Sequence, residues 1–472
     1  MTGRGADSVS ELPSNWENTT LGEITSNPQY GWTTKSTNQG VLHLLRTTDI
    51  TSGIIQWDNV PYCDKIPDQI SKYIVHDGDI LISRAGSVGF SILVKSPKSA
   101  VFASYLIRFI PYINAKYVSY FLNSPNYWKS ISENKLGIAV PNVNATKLSN
   151  IKFPLPPLPE QHRIVAKIEE LFTRLDAGVA ALTNAKTLLK QYRQAVLKAA
   201  VEGRLTEEWR KEHAGEIEPA SVLLERIQAE RKQRLGKNYK PPKPIDTSNL
   251  PELPEGWVWA KLGSICDNFN KVQPKDKPNE RFIYIDISSI NNSINQITTP
   301  KSYLGINAPS RARQLVKTDD ILFSTVRTYL KNIAIVPKEY DGQIASTGFC
   351  VVRPIIVNSR FINIILNNEE FLNSLSKIQR GTSYPAVRNS DVFNQNIPLP
   401  SIEEQKEIVN ECSRLISLID ESEQIINAEL KRSQSLRQSI LKRAFAGKLV
   451  PQNPADEPAS VLLEKIRKEK KI

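Results

Sequence analysis

Two groups of arginine, amide and hydroxyl side chains stand in loop-like stretches, and their chemistry is hydrogen bonding rather than bond breaking. In the first half these are Arg46 and Thr47 behind a strand-like run, Arg84 and Ser87 in an Arg-Ala-Gly-Ser loop, and then Lys135, Asn142, Asn144 and Lys147. In the second half they are Arg327, Tyr329 and Lys331, followed by Arg380, Thr382, Ser383, Tyr384 and Arg388 around Gly381. Guanidinium forks and carboxamides suit the edges of guanine and adenine, whereas Lys, Ser, Thr and backbone N–H groups suit phosphates. Taken singly, each is also what a solvated surface carries. The charge balance favours a polyanionic partner: 61 Lys and Arg against 49 Asp and Glu leave +12, and nucleic acid is the commonest such partner.

Covalent chemistry finds little support. Asn27-Pro28-Gln29-Tyr30 is one residue from the N-P-P-Y motif of adenine methyltransferases. That motif works beside a glycine-rich loop holding the methyl donor, and no F-x-G-x-G occurs, so it reads as a surface turn. Gly86-Ser87-Val88-Gly89 is too short for a nucleotide loop, and no G-x-x-x-x-G-K-[ST] occurs. The four histidines form no H-E-x-x-H, and His162, at a helix start, reads as solvated. Cys63, Cys266, Cys350 and Cys412 form no CxxC pair, so neither a metal site nor a disulfide framework is indicated. With no secretory pattern at the start and no apolar run of membrane-spanning length, a reducing cytoplasm fits.

The text that must position these groups is written twice. A spacing of 241 residues separates Leu12-Pro13-Ser14-Asn15-Trp16 from Leu253-Pro254-Glu255-Gly256-Trp257, and Asp79-Ile80-Leu81-Ile82-Ser83 from Asp320-Ile321-Leu322-Phe323-Ser324. A spacing of 244 separates Pro154-Leu155-Pro156-Pro157-Leu158-Pro159-Glu160-Gln161 from Pro398-Leu399-Pro400-Ser401-Ile402-Glu403-Glu404-Gln405. A third echo pairs Glu218-Pro219-Ala220-Ser221 with Glu457-Pro458-Ala459-Ser460. Between the echoes the halves differ strongly, which implies one scaffold carrying two different readers.

Each divergent part reads as an α+β domain. Strands are expected near 41–45, 79–83, 101–109, 281–287 and 321–325, and helices near 115–122 and 360–366. Each proline phrase then opens a long helix. The first, from Glu160 to about Val201, carries a seam at Ile164, Ile168, Leu171, Leu175, Leu182, Leu189, Tyr192 and Val196, where small Gly178 and Ala185 would admit a close partner. The second, from Glu404 to about Ala446, carries Ile408, Cys412, Leu415, Ile419, Ile426, Leu436 and Ile440. Long helices with open seams need a partner, and the other copy is the economical one; the intervening reader domain favours an antiparallel pair, since a parallel pair would put both readers at one end and require longer connections.

The LPxxW opening, the D-I-L-x-S strand, the PLPPLPEQ phrase with its helix, and the AVLKAAVEGRL and SILKRAFAGKL closings resemble Type I restriction-modification specificity (S) subunits, the HsdS family, over almost the whole chain. Asn15 stands where a Gly is usual, and Ser401 and Glu403 interrupt the second proline phrase. The resemblance implies two mixed α/β target-recognition domains and an antiparallel two-helix coiled-coil spacer, related by a pseudo-two-fold internal repeat. The expected layout is a disordered tail (1–11), recognition domain 1 (12–153), a proline-rich turn and first spacer helix (154–205), and an accessory helix and linker (206–252). Recognition domain 2 (253–397), the second turn and spacer helix (398–449) and a C-terminal helical tail (450–472) complete it. Each domain would read half of a bipartite site on double-stranded DNA. The spacer would set the half-site distance and dock two methyltransferase (M) subunits, and through them two restriction (R) subunits. The chain would be a non-catalytic subunit without cofactor; S-adenosylmethionine, ATP and Mg2+ belong on its partners. The competing readings are a duplicated coiled-coil scaffold that does not read DNA, and a stand-alone methyltransferase, which the missing donor loop opposes.

Overall fold

The computed structural model describes residues 12–134 and 142–470; the expected tail and Lys135 lie outside the described residues. The chain divides into two compact units, one made of residues 1–183 with 427–472, the other of 184–426.

In the first unit, an antiparallel sheet is ordered Gln29–Tyr30, Leu106–Phe109, Ile80–Ser83, Ser91–Leu93. A second sheet, ordered Ser36–Thr37, Tyr62–Cys63, His43–Leu45, Ala100–Phe102, contains the parallel pair His43–Leu45 with Ala100–Phe102. The repeated D-I-L-x-S strand is buried on both faces. Ile80 and Ile82 enter one apolar core and Leu81 another, as the two-residue alternation of a strand requires. The single run expected over 101–109 is instead two strands in different sheets. The chain turns at 103–105, where the Ala103 N–H bonds the Leu45 carbonyl at 2.9 Å, and so passes from one sheet to the other. Gln29–Tyr30, expected as part of a turn, is a short strand paired with Arg108 and Ile107.

The second unit repeats this logic. Ile333–Ile335, Ile321–Ser324 and Phe349–Val352 form one sheet; Lys301–Leu304, Arg281–Ile285, Ile344–Ser346 and Ala312–Leu315 form another. Ile321 and Phe323 enter one core and Leu322 a second. Beside the strands lie the helices Ala115–Phe121 in the first unit and Ser359–Asn367 in the second, each capped by an asparagine side chain, Asn114 and Asn358.

The repeated phrases are the joints between strands, caps and long helices. In the first unit, buried Glu160 accepts a hydrogen bond from the Trp16 indole (3.0 Å). Gln161 donates to the Pro156 carbonyl (3.0 Å) and accepts from the Asn114 N–H (3.2 Å). In the second unit, buried Glu404 accepts from Trp257 (2.8 Å), and Gln405 donates to Pro400 (3.0 Å) and accepts from the Asn358 N–H (2.9 Å). The third echo has the same meaning: the Ala459 N–H bonds the Asn15 carbonyl and the Ala220 N–H bonds the Gly256 carbonyl, so each short helix, Ala459–Glu469 or Ala220–Leu235, seats beside an LPxxW opening.

The long helices are Leu158–Val201 and Ile402–Ala444, of 44 and 43 residues, each about 65 Å at 1.5 Å per residue. They pack together antiparallel. Asp176 and Arg193 of the first helix pair with Arg437 and Asp420 of the second, so partners descend along one helix as positions ascend along the other. In the first unit Ile164, Val165 and Ile168 share a core with Leu441, Ala444 and Phe445; in the second Val196, Leu197 and Ala200 share one with Ile408, Val409, Cys412 and Ile419. Leu171, Leu175, Leu182, Leu189, Leu415 and Ile440 are half-buried, and Ile426 is buried.

Three seam expectations are corrected. Tyr192 and Leu436 are 50% and 42% exposed. At those turns the neighbouring arginines face the partner helix: Arg193 pairs with Asp420 and, at 3.9 Å, Glu423, while Arg437 pairs with Asp176 and lies 4.4 Å over the Phe172 ring. An arginine stem covers apolar surface while its head forms an ion pair, which a seam drawn from apolar residues alone misses. Gly178 is exposed, and a Cβ there would meet nothing within 4 Å, so it brings no helix close. Among the described residues no helix is long and apolar enough to cross a membrane, and the four cysteines are buried and unpaired.

Candidate nucleic-acid interface

In each unit the loop after the D-I-L-x-S strand is tied down by the strand's own serine. Ser83 donates its hydroxyl hydrogen to the Ser87 carbonyl, and Ser324 donates to the Val326 carbonyl at 2.9 Å. A second loop docks against each. The Val143 N–H bonds the Arg84 carbonyl, and the Val387 N–H bonds the Thr325 carbonyl, both at 2.9 Å. The docked loops then open short helices, Ala145–Ser149 and Asn389–Phe393, with Asn144 and Arg388 at the caps. The two units thus present a paired-loop face at corresponding places, although the loop sequences differ.

On the first face Arg84 is half-buried with its guanidinium 5.1 Å over the ring of Tyr30. The Tyr30 hydroxyl accepts the Ala145 N–H at 3.0 Å and so fixes the ring against the second loop. Asn142 bridges to Ala85 as an isolated β-bridge, and Asn144 accepts the Lys147 N–H at 2.8 Å. Ser87 is exposed and Lys147 half-buried. The 103–105 turn links this face to the end of the His43–Leu45 strand: the Tyr105 carbonyl accepts the Arg84 N–H at 2.9 Å, and Ala103 bonds Leu45, the neighbour of Arg46. Arg46 and Thr47 therefore flank the same turn. The Arg46 guanidinium is already occupied by Asp49, at 3.0 and 2.9 Å.

On the second face Arg327 lies 4.6 Å over the ring of Tyr384 and donates to the Ser383 carbonyl at 3.3 Å, while its N–H bonds the Pro385 carbonyl at 2.8 Å. Arg380 and Ala386 exchange both backbone hydrogen bonds at 2.9 Å, closing a tight loop around exposed Thr382, Ser383 and Tyr384. Gly381 turns it with φ of +91°, where an added Cβ would stand 3.2 Å from the Tyr384 carbonyl oxygen; glycine alone adopts such a φ readily. Arg380 is paired with Asp391 at 2.5 Å, and this pairing holds the Asp391 carboxyl below its ordinary range. Arg388 is exposed, and its backbone N–H also bonds Asp391. Tyr329 is 57% exposed. Lys331 lies aside from the paired loops, 3.8 Å from Glu369, and burial lowers its amine below the usual value.

The residues named from sequence thus divide. Arg84, Asn142 and Asn144 meet on one face, and Arg327, Arg380, Ser383, Tyr384 and Arg388 on the other. Arg46 and Arg380 are neutralised by carboxylates. Tyr30 is not among the residues expected from sequence, where it falls in the N-P-P-Y-like turn; it is instead an aromatic ring on the short strand Gln29–Tyr30, 38% exposed. Sequence reasoning passed over Glu160 and Glu404 as the acceptors of the two repeated tryptophans. Their signal was present, since Trp and Glu-Gln are the residues both copies retain. Burial holds the Glu160 carboxyl above its ordinary range, against the bonds from Trp16 and Gln452.

Comparison with known proteins gives the arrangement a family. The model of the Type I restriction modification DNA specificity domain matches twice, over residues 13–184 and 254–432. The specificity subunit of the Type I restriction enzyme EcoDI of Escherichia coli is 28% identical, over 86% of this chain and 88% of its own length. That of EcoKI from strain K12 is 26% identical, over 91% and 89%. A solved chain from a type I R-M system covers 93% of this chain and 100% of its own with a TM-score of 0.65; at 19% identity the likeness is one of fold. With two family matches across most of its length and relatives aligned along nearly all of it, the chain belongs to the Type I restriction-modification specificity-subunit family.

Proposed function

We propose that this chain is the DNA-reading subunit of a Type I restriction-modification complex, each paired-loop face reading one half of a bipartite double-stranded site. One observation carries this reading: two domains with unlike sequences build the same platform after the same repeated strand, and each platform displays an arginine over a tyrosine ring, joined by Asn142 and Asn144 on the first and by Ser383 and Arg388 on the second. Such groups suit base edges, and the +12 charge supplies attraction to the backbone. The long helices act as the spacer that sets the half-site distance and as the seat for two methyltransferase subunits, through which two restriction subunits are recruited. S-adenosylmethionine, ATP and Mg2+ are bound by those partners, in the cytoplasm, and methyl transfer and cleavage are theirs.

The test is retention on DNA by the chain co-expressed with its methyltransferase subunit. Affinity that falls steeply and log-linearly with salt, yet still discriminates one split site from bulk DNA, supports the reading. Retention that is independent of salt and sequence opposes it.

A further inference from the structure

We infer that Arg84 and Arg327 each read a guanine, one in each half-site, and that Tyr30 and Tyr384 are the positioning residues that hold the two guanidinium planes. The inference rests on the DNA-reading function and names the base and the side chains that select it.

The two stacked pairs are not a relic of the internal repeat. At the spacing of 241 residues that aligns the D-I-L-x-S strands, the counterpart of Arg84 is Thr325, not Arg327. The rings also come from opposite directions along the chain: Tyr30 precedes its strand, Ile80–Ser83, and Tyr384 follows Ile321–Ser324. Shared ancestry of the halves therefore does not account for the same pair arising twice on the same loop. A shared task does.

The chemistry of the pair suits a base edge. The guanine O6/N7 edge needs two donors held in one plane; a phosphate also takes a guanidinium fork, and the experiment below separates the two by whether the loss is confined to one base pair. A phenol ring 5.1 or 4.6 Å from the guanidinium carbon restrains that plane. Both arginines bury Nε with no hydrogen-bond partner among the described residues. Desolvating a donor is unfavourable, and what it achieves here is a fixed side chain whose terminal nitrogens do the bonding. Arg327 commits one of these to Ser383 at 3.3 Å, which leaves donors enough for a two-point contact. Among the described residues neither arginine has a carboxylate partner of the kind that neutralises Arg46 and Arg380.

The experiment maps methylated adenines genome-wide in cells carrying the complete complex with wild-type chain, Arg84→Lys or Arg327→Lys. Lysine keeps the charge and loses the planar fork. Each variant is expected to lose discrimination at a single G·C pair, by about 10- to 100-fold, in one half-site, with the other half unchanged and the two variants acting on different halves. Tyr384→Phe keeps the ring and is expected to leave the motif intact, whereas Tyr30→Leu and Tyr384→Leu relax the same G·C pairs as their arginines. These tyrosine variants also decide the matter if an arginine variant does not fold. Uniform weakening across all sites would mark a phosphate contact and overturn the inference, as would relaxation at an A·T pair or none at all. A wild-type complex that methylates no split site would instead overturn the DNA-reading function itself.

Discussion

Glu404→Gln should destabilise its joint far more than Glu160→Gln destabilises the equivalent one. Both carboxylates are buried and both accept a tryptophan indole. Glu404 accepts in addition from the Thr206 hydroxyl at 2.7 Å and from Arg210 Nε and Nη2 at 3.0 and 2.7 Å, and that guanidinium is only 17% exposed. A glutamine there must turn its NH2 either toward Trp257 or toward Arg210, both donors, and leaves the guanidinium without a counter-charge. Breaking a buried ion pair costs about 3–5 kcal/mol; Arg210 keeps the Gly203 carbonyl at 2.6 Å, so we expect the low end, about 3 kcal/mol. Glu160 has Gln452 in place of the arginine, at 2.7 Å. An amide can rotate to accept from the new NH2, and removing a carboxylate that burial disfavours gives some relief, so about 1 kcal/mol is expected. Hydrogen exchange followed by mass spectrometry reads the two joints separately, since local opening scales with local stability. Glu404→Gln should accelerate exchange in peptides spanning Thr206–Arg210 and Trp257 by about 100-fold, and Glu160→Gln those around Trp16 by about 5-fold, each leaving the other joint unchanged. Equal effects at the two joints, or a larger one for Glu160→Gln, would refute the reasoning.

The ion pair between Arg437 and Asp176 bridges the two long helices in the first unit, and as a largely exposed pair it should matter little for stability, within about 1 kcal/mol, and more for register. Arg437→Asp alone should broaden the spacing of methylated half-sites, and restoring opposite charge with Asp176→Arg should return one spacing; an unbroadened single variant would dismiss a register role. Seven residues inserted near Asn184 together with seven near Ala428 preserve both seams and add about 10 Å to each helix. The mapped spacing should lengthen by about three base pairs with both half-site sequences kept. A folded, active paired insertion with unchanged spacing would remove the helices from the role of ruler.

Elements with strong periodicity were legible in the sequence. The two long helices, Ile80–Ser83, Ile321–Ser324 and Ser359–Asn367 lie where apolar spacing puts them. Elements decided by tertiary packing were not. The 101–109 run is largely apolar because it feeds two sheets in succession, and no glycine or proline marks the change at Ala103. Tyr192 and Leu436 lie off the seam because the arginine beside each buries its stem and pairs its head, and a polar letter does not disclose that. On the candidate faces, residue type identified the arginines, while their standing depended on partners far away in sequence or unreadable in advance: Tyr30 lies 54 positions before Arg84, and Asp49 and Asp391 occupy Arg46 and Arg380. The repeated Trp, Glu and Gln were visible as an echo; only the folded chain makes them a joint.

The central claim is that one chain holds two independent readers. Replacing residues 253–397 with the corresponding segment of a relative that reads a different site, then mapping methylated adenines in cells that carry the hybrid and its partner subunits, tests it most directly. The account predicts that one half-site changes to the relative's sequence while the other half and the spacing remain. Alteration of both halves, or of neither in an active hybrid, would contradict it.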